Sequence, residues 1–532
     1  RGAKRNRALR WPISLIVGSS LIAACASAGT DVSIERSDRA APSTSMLLET
    51  SIPSETSESD PLGTTTTVPF GVPTATDGSS VDPSVPASEP DSVNGTSGIG
   101  DALFPDLGNR GIDVTHYDID LVYDPDSTVI TATATLSIDI TEALDVFTLD
   151  QIGLTVDDVT IDGSSVAFEV ADPELIITPA EPLSVGTSIA VAVAYVADGT
   201  TSISSAGVSS GWFPTPLGSF TLNEPDGART WLPSNDHPSD KATYHFTIHV
   251  PDGDTAIANG ALISNDADPA GGITWVWDQP EPMTTYVIQV LTGPYTVVTG
   301  VTDEGLALVS AILQGDESLM QPFLDVTPQQ IDFFEEYFGP YPFDSYGIAM
   351  TDVNFGGAME EQGRSLFGRD DFGSGQLGYV EELLLAHELS HQWFGNAVAP
   401  ARWRDIWLNE SFASYAEWMW LDHAGYITLS ETADDNLGSR QDGSIATGDP
   451  SQRGLFGYEV YEGGAVVLHA LRSTVGDDVF FEILQRWVAD NRNTSRTTDD
   501  FIATAETVSG LDLTQFFADW LYATDLPDSY PS

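Results

Sequence analysis

The sequence contains very little cysteine and very little positive charge. Of its 532 residues only Cys25 is a cysteine, and the only lysines are Lys4 and Lys241. A single cysteine forms no intramolecular disulfide, so apolar cores must hold the fold together. The 20 basic and 79 acidic residues give a net charge of −59, which argues against nucleic acid as a partner because a polyanion is repelled. We interpret this excess as solubility or salt adaptation of an acidic surface; a second interpretation is a field that favours cationic peptides.

The start of the chain has the pattern of a secretory signal. Residues 1–10 carry five basic side chains, and an apolar run from Trp11 to Ala24 ends in small residues before Cys25. The run is short for a membrane span. It resembles a bacterial lipobox, which predicts that residues 1–24 are a signal peptide and that Cys25 is lipid-modified, making the protein an extracytoplasmic lipoprotein on the cell surface. The alternatives are an ordinary signal peptide cut nearby and an uncleaved anchor.

Composition then changes twice along the chain. Residues 25–105 are rich in Ser, Thr, Pro and Gly without an apolar period, which predicts a disordered tether. In residues 106–299 apolar and polar residues alternate, as at residues 130–140, and this period of two predicts half-buried antiparallel strands. His245 and His249 fall on the polar face of one such strand, so we expect surface histidines and not metal ligands.

Residues 300–532 instead favour helices. Helical spacing of apolar residues with few breakers predicts helices at residues 318–338, 379–395, 408–424, 462–474, 478–490, 498–509 and 512–523. The predicted fold class is therefore α+β with several domains. An N-terminal antiparallel β-sandwich-like domain precedes a mainly helical domain that has a small sheet.

A metal-binding pattern lies in the second predicted helix. Residues 387–391 read His-Glu-Leu-Ser-His, and positions i and i+4 share a helix face, so His387 and His391 point at one spot. Glu410 at the start of the next helix supplies a third ligand, and Glu388 lies beside the metal without ligating it. Three protein ligands leave one zinc position open, which is the arrangement for metal-assisted hydrolysis. The alternative is a chance match on a core helix, which the third ligand disfavours.

Several further motifs accompany this pattern. They read Glu-Pro-Asp-Gly-Ala-Arg at residues 224–229, Pro-Ser-Asn-Asp-His-Pro-Ser-Asp-Lys-Ala at 233–242, Gly-Pro-Tyr-Pro-Phe at 339–343, Gly-Ala-Met-Glu at 357–360, Trp-Leu-Asn-Glu at 407–410 and Tyr-Glu-Gly-Gly at 461–464. From about residue 110 onward they resemble, in family order, the zinc aminopeptidases of the aminopeptidase N type. This gluzincin family also includes a leukotriene epoxide hydrolase. The resemblance implies a thermolysin-like catalytic domain and one Zn²⁺ as cofactor.

The resemblance implies a catalytic role for each matching residue. His387, His391 and Glu410 would bind zinc. Glu388 would be the general base that takes a proton from the attacking water. Tyr461 would hydrogen-bond the oxyanion of the tetrahedral intermediate, although from the residues alone a core aromatic is the more typical interpretation.

Four residues are implied in substrate binding. Glu360 would bind the free α-amine, Glu224 from the first domain would be a second amine-recognising carboxylate, and Gly357 and Ala358 would line the peptide backbone as part of an edge strand. A carboxylate at a fixed distance from zinc pairs with an ammonium group and decides which peptide bond reaches the metal. From the residues alone, both carboxylates are more typical of a solvated loop and a turn.

The chain departs from the family pattern at a few positions. Glu361 stands where the family usually has Asn, which predicts an extra negative charge near the amine site. Gly463 stands where it usually has Lys, and Ser411 where it usually has Gly. The chain also ends too soon after Glu410 for the helical C-terminal domain of larger relatives, so we expect a short form with a more open cleft.

These features together predict a zinc-dependent aminopeptidase that acts outside the cell. Its partners would be peptides with a free N-terminus, without nucleic acid, and with membrane contact only through a lipid on Cys25. One alternative is an enzyme of the same fold with another hydrolytic task, endopeptidase or epoxide hydrolase, which Glu360 disfavours. The other is a non-enzymatic surface lipoprotein, which an intact Glu388 disfavours.

Overall fold

The computed structural model describes residues 93–94, 97–373, 375–440 and 445–531. Cys25, the signal peptide predicted at residues 1–24 and most of the tether predicted at residues 25–105 lie outside this part of the chain. No helix among the described residues is both long enough and apolar enough to cross a membrane.

The described part contains strands in its first half and mostly helices in its second. The strands in chain order are β1 Val93–Asn94, β2 Ile112–Asp124, β3 Val129–Ile140, β4 Leu144–Asp150, β5 Thr155–Ile161, β6 Ser164–Ser165, β7 Ala167–Ala171, β8 Glu174–Thr178, β9 Ser188–Asp198, β10 Ser202–Ser205, β11 Val208–Pro214, β12 Ser219–Leu222, β13 Ala242–Val250, β14 Thr255–Ala258, β15 Ala261–Ala267, β16 Ile273–Met283, β17 Val290–Gly293, β18 Tyr295–Val301, β19 Ala307–Leu313, β20 Ser345–Tyr346, β21 Ile348–Thr351, β22 Ser365–Gly368, β23 Val398–Pro400 and β24 Thr494–Arg496. The α-helices are α1 Glu317–Phe338, α2 Tyr379–Ser390, α3 Trp407–His423, α4 Leu429–Arg440, α5 Glu462–Val475, α6 Asp477–Asn491, α7 Thr498–Ser509 and α8 Thr514–Trp520.

The largest sheet has eight strands in the order β15-β16-β13-β2-β3-β9-β5-β6. The alternation in the sequence gives it one apolar face: in β2 every second side chain is buried, apart from an irregularity near Thr115. The sheet is not wholly antiparallel as predicted, because β13 pairs in parallel with β2. Many strands intervene between β2 and β13, so a crossover connects them where a hairpin would require antiparallel pairing.

Four further sheets are present among the described residues, the smallest of which is the parallel pair β23-β24. A four-stranded sheet (β1-β4-β8-β7) and a five-stranded sheet (β10-β11-β12-β17-β14) join the eight-stranded one in the N-terminal β domain. The small predicted sheet of the second domain is β18-β19-β21-β22, with β20 on β19. The predicted boundary after residue 299 therefore falls inside β18. The predicted architecture, a β domain followed by a helical domain, is confirmed.

All seven predicted helices are present, and α4 is an additional one. Its few apolar residues hide it, although Thr428 and Glu431 form a capping box at its start, a pattern visible in the sequence. The zinc helix α2 ends at Ser390, earlier than predicted. There the backbone tightens into three-residue turns, with Gln392 N–H donating to Leu389 O and Trp393 N–H to Ser390 O.

The folded body begins before the predicted boundary at residue 105. Asp101 is only 6% exposed and accepts hydrogen bonds from His237 Nε2 (3.3 Å) and from the backbone N–H of Trp403 (2.9 Å). The backbone N–H groups of Leu103 and Phe104 also donate to this carboxylate. This carboxylate therefore ties the segment ahead of β2 to the β domain and to the helical domain at once.

Replacing Asp101 by Ala should lower the free energy of unfolding by about 3 kcal/mol, because several buried donors lose their acceptor. Burial opposes its ionisation, but the hydrogen bonds, first that of His237, lower the pKa of Asp101 from 3.8 to about 2. Its stabilisation should therefore be complete above pH 3.8 and fade as the pH falls towards 2. Denaturant unfolding at several pH values measures both effects.

The matched control is Arg110→Ala, which removes an exposed ion pair with Glu142 near the same segment. It should change stability by less than about 0.5 kcal/mol. Equal effects of the two substitutions would contradict the assigned role of Asp101.

Candidate active site

Two packed helices bring the three predicted metal ligands together. His387 lies in the last turn of α2, and His391 follows as its cap with helical backbone angles (φ −58°, ψ −23°), so the i,i+4 spacing is kept. Glu410 lies in the first turn of α3. The Nε2 atoms of both histidines lie 3.5 Å from the same oxygen, Glu410 Oε2.

This donor set fits a zinc ion. Ligand bonds of about 2.0–2.1 Å in a tetrahedral arrangement place the ligand atoms roughly 3.4 Å apart. The three donor atoms lie within 4.8 Å of one another, and His387, His391 and Glu410 are 8%, 1% and 2% exposed. Two imidazoles and one carboxylate leave room for a fourth, exchangeable ligand.

The outer nitrogen of each imidazole is also held in place. His391 Nδ1 donates to Phe394 O at 3.1 Å, and His387 Nδ1 bonds to the carboxylate of Glu417. These bonds turn each Nε2 lone pair towards the metal position. Glu417 is absent from the predicted site. Its position seven residues after Glu410, two turns along the same face of α3, is the signal that marks it.

Three further carboxylates surround the ligands. Donor atoms of Glu360 and Glu388 lie within 4.8 Å of one on His391, and donor atoms of Glu224 and Glu360 lie within 4.8 Å of one on Glu410. One oxygen of Glu224 and one of Glu360 are buried without a hydrogen-bond partner in the described protein. Burial raises the pKa of Glu360, and burial together with the charge of Glu360 raises that of Glu224 well above its usual value. A cationic group between them would relieve both effects.

Tyr461 lies beside the first ligand. Its ring is nearly parallel to that of His387, at 7° and 5.8 Å between centroids, and burial raises the pKa of Tyr461, so the phenol keeps its proton. Ser411, which departs from the family pattern, donates to Val460 O at 2.5 Å and so fixes the residue before Tyr461. Gly464 makes this contact feasible, because a Cβ there would lie 1.7 Å from the Ser411 hydroxyl oxygen.

The other two departures lie away from the ligands. Glu361 does not line the cleft: its carboxylate accepts a hydrogen bond from Gln289, whose Oε1 accepts one from the buried Arg364. The carboxylate that was predicted to add charge at the amine site is therefore held in a polar network, where burial raises the pKa of Glu361 well above its usual value. Gly463 leaves space for the buried guanidinium of Arg440, since a Cβ at this position would lie 2.7 Å from its Nε.

An open cleft, lined by residues of both domains, runs past the ligand His387 and past Glu388. Gly357 and Ala358 line it, but neither lies in the predicted edge strand: Gly357 is in a bend, and next to them only Met359 forms a bridge, with Leu366. The positive φ of Gly356 (92°) breaks the extended conformation there. His245 and His249 lie far from this region in the role predicted for them, partly exposed and bonded to surface aspartates.

The sequence matches two models of one protein family. The Peptidase M1 N-terminal domain model matches residues 114–287, and the Peptidase family M1 domain model matches residues 323–520. Together they cover more than half of the chain. The chain belongs to the M1 peptidase family. The predicted resemblance to the aminopeptidase N type is thereby confirmed.

Known relatives support this assignment. Probable aminopeptidase 1 of Sulfurisphaera tokodaii is 25% identical over 401 residues, which are 71% of this chain and 49% of that protein. Aminopeptidase N of Lactococcus lactis is 29% identical over 327 residues, which are 56% of this chain and 38% of that protein. The chain thus spans about half the length, or less, of these curated relatives.

One solved structure resembles this fold along the whole length of the solved chain. It is a mutant M1 zinc metallopeptidase from Deinococcus radiodurans, bound to a Tyr-Ser-Ala substrate, with a TM-score of 0.73 and 28% identity. The match covers 82% of this chain and 100% of that one. A two-domain M1 zinc metallopeptidase mutant bound to L-arginine matches equally well, with a TM-score of 0.73.

Replacing Glu417 by Ala should weaken zinc binding about 10- to 100-fold, because His387 loses the group that orients its ring. Competition with a chromogenic chelator measures the zinc dissociation constant. Glu382→Gln is the matched control, since Glu382 is a buried carboxylate on α2 that bonds Trp420 and Tyr426 and no ligand. Unchanged zinc affinity in Glu417→Ala, or an equal loss in the control, would show that Glu417 does not orient the ligand.

Proposed function

We propose that the protein is a zinc-dependent aminopeptidase that binds one Zn²⁺ and hydrolyses the N-terminal bond of peptides with a free amino terminus. One observation carries this proposal: the buried, unpartnered oxygens of Glu224 and Glu360 lie next to the metal ligands. The α-ammonium group at the N-terminus of a peptide substrate would form ion pairs with both carboxylates while the first peptide bond lies at the metal. Relatives named as aminopeptidases, and a relative bound to a tripeptide, support the proposal.

Each residue of the site has its own role in the proposed reaction. When bound, zinc supplies a Lewis acid that lowers the pKa of water and polarises the scissile carbonyl. Glu388 takes a proton from the water that attacks the carbonyl carbon and delivers it to the nitrogen of the departing peptide as the C–N bond breaks. Tyr461 donates a hydrogen bond to the oxyanion. Glu224 and Glu360 pair with the substrate ammonium and hold the first residue in register.

The 532-residue chain should release the chromophore from aminoacyl p-nitroanilides, lose this activity with a chelator and regain it with added zinc. N-acetylation of the substrate should abolish cleavage, because the amine loses its charge. Glu360→Gln should lower kcat/KM roughly 30- to 100-fold, as expected when one partner of a buried charge pair is lost. Glu388→Gln should lower kcat by about 10³-fold with zinc still bound.

Glu361→Gln is the control for Glu360→Gln, since it changes a neighbouring buried carboxylate that accepts a hydrogen bond from Gln289 and, unlike Glu360, is not grouped with the metal ligands. It should leave kcat/KM within a few-fold of the wild type. Turnover of acetylated substrates at the full rate would contradict an aminopeptidase and favour an endopeptidase. No turnover by zinc-loaded protein would contradict the proposal as a whole.

We further propose that the enzyme acts outside the cell, held by a lipid on Cys25. The basic start and the apolar run ahead of Cys25 support this. Cys25→Ala should move the protein out of the membrane fraction, and a metabolic palmitate analogue should label only the chain that retains Cys25. Membrane retention of an unlabelled wild-type chain would instead indicate an uncleaved anchor.

A further inference from the structure

The β domain holds the loop that follows the zinc helix. Lys241, the residue before β13, donates from Nζ to the carbonyl oxygens of Asn396 (2.6 Å) and Ala397 (3.3 Å). It is the only lysine in the described part of the chain. Lys241 is half-buried, and burial lowers the pKa of its ammonium group to about 7. A donor that bonds two neighbouring carbonyls restrains the position of both.

This loop connects a metal ligand to the proposed amine-binding carboxylate. The backbone N–H of Asn396 donates to His391 O at 2.9 Å. The side-chain Nδ2 of the same residue donates to Glu360 O at 2.6 Å, and Gln392 Nε2 donates to the same oxygen at 3.2 Å. The backbone of Glu360 is therefore held by the turn that ends the zinc helix, and Lys241 holds that turn from the opposite side.

A second residue of the β domain acts on the same loop. The Tyr286 hydroxyl donates to Gly395 O at 3.3 Å and accepts from Asn409 Nδ2 at 3.0 Å. Asn409 is the neighbour of the ligand Glu410. The loop thus connects Glu360 to both ligand helices, so its position decides where Glu360 stands relative to them.

We propose that Lys241 is a positioning residue: its bonds to residues 396–397 set the distance between the Glu360 carboxylate and the metal ligands. This inference rests on the proposed aminopeptidase function. A displacement of about 1 Å between a substrate anchor and the reacting centre costs on the order of 10²-fold in rate. The loss should fall on molecules anchored through their amine, while zinc binding stays intact because Lys241 touches no ligand.

The test compares two inhibitors that differ only in the amine, L-leucine hydroxamate and 4-methylpentanehydroxamate. In the wild type the amine should lower the inhibition constant, because Glu360 and Glu224 pair with it. In Lys241→Met this advantage should shrink at least tenfold, with one zinc per chain retained. Loss of folded protein alone would lower the active fraction and leave the ratio of the two constants unchanged. Lys241→Arg, which keeps a donor, should restore part of the ratio.

Ser495→Ala is the matched control. Ser495 donates to Pro238 O at 2.6 Å, so this variant removes another contact between the same β-domain segment and the helical domain. Its inhibitor ratio should stay at the wild-type value, even if its stability falls.

Asn396→Ala keeps the test decisive if Lys241→Met does not fold. It removes the bond to Glu360 O and leaves the backbone carbonyl that Lys241 contacts, so it should reduce the ratio in the same way. Wild-type ratios in the folded variants would overturn the inference. If the wild type itself shows neither turnover nor an amine-dependent difference, the proposed function fails, and not the role of Lys241 within it.

Discussion

The metal centre depends on the contact between the Glu410 carboxylate and the imidazoles of His387 and His391. One oxygen of this carboxylate faces two imidazole nitrogens at the same 3.5 Å, although these belong to different turns around the end of α2. Burial would raise the pKa of Glu410, but the imidazoles of His391 and His387 hold it at about 2. The carboxylate is therefore charged where α2 and α3 meet, and the angle between these helices fixes the ligand set.

The β domain is part of the site as well as its support. It supplies the Glu224 carboxylate to the cleft, and it holds the loop after the zinc helix through Lys241 and Tyr286. The helical domain supplies the three metal ligands and, in addition, Glu388 and Tyr461. The metal ligands thus come from the helical domain alone, whereas the two carboxylates proposed to bind the amine, Glu224 and Glu360, come one from each domain, and hydrogen bonds to backbone carbonyls connect the two.

Local patterns in the sequence predicted much of this arrangement. The spacing of His387 and His391, and the helix that starts close to Glu410, follow from helical periodicity, which acts over a few residues. The role of Glu417 required knowledge of how α3 faces α2. The direction of Glu361 depends on Gln289, which lies 72 positions earlier in the chain. The parallel pairing of β13 with β2 joins residues still farther apart in sequence, such as His116 and Thr243. Such contacts form only when the whole chain packs, so a window of neighbouring residues carries little information about them.

The bonds of Asp101 have a consequence for how far the chain can be shortened. A form that begins at β2, at Ile112, would lack the acceptor for His237 and for the backbone N–H of Trp403. Both donors are buried, so the loss of their shared acceptor would weaken the contact between the two domains at this point. A proteolytic cut that preserves this contact must therefore fall ahead of Asp101.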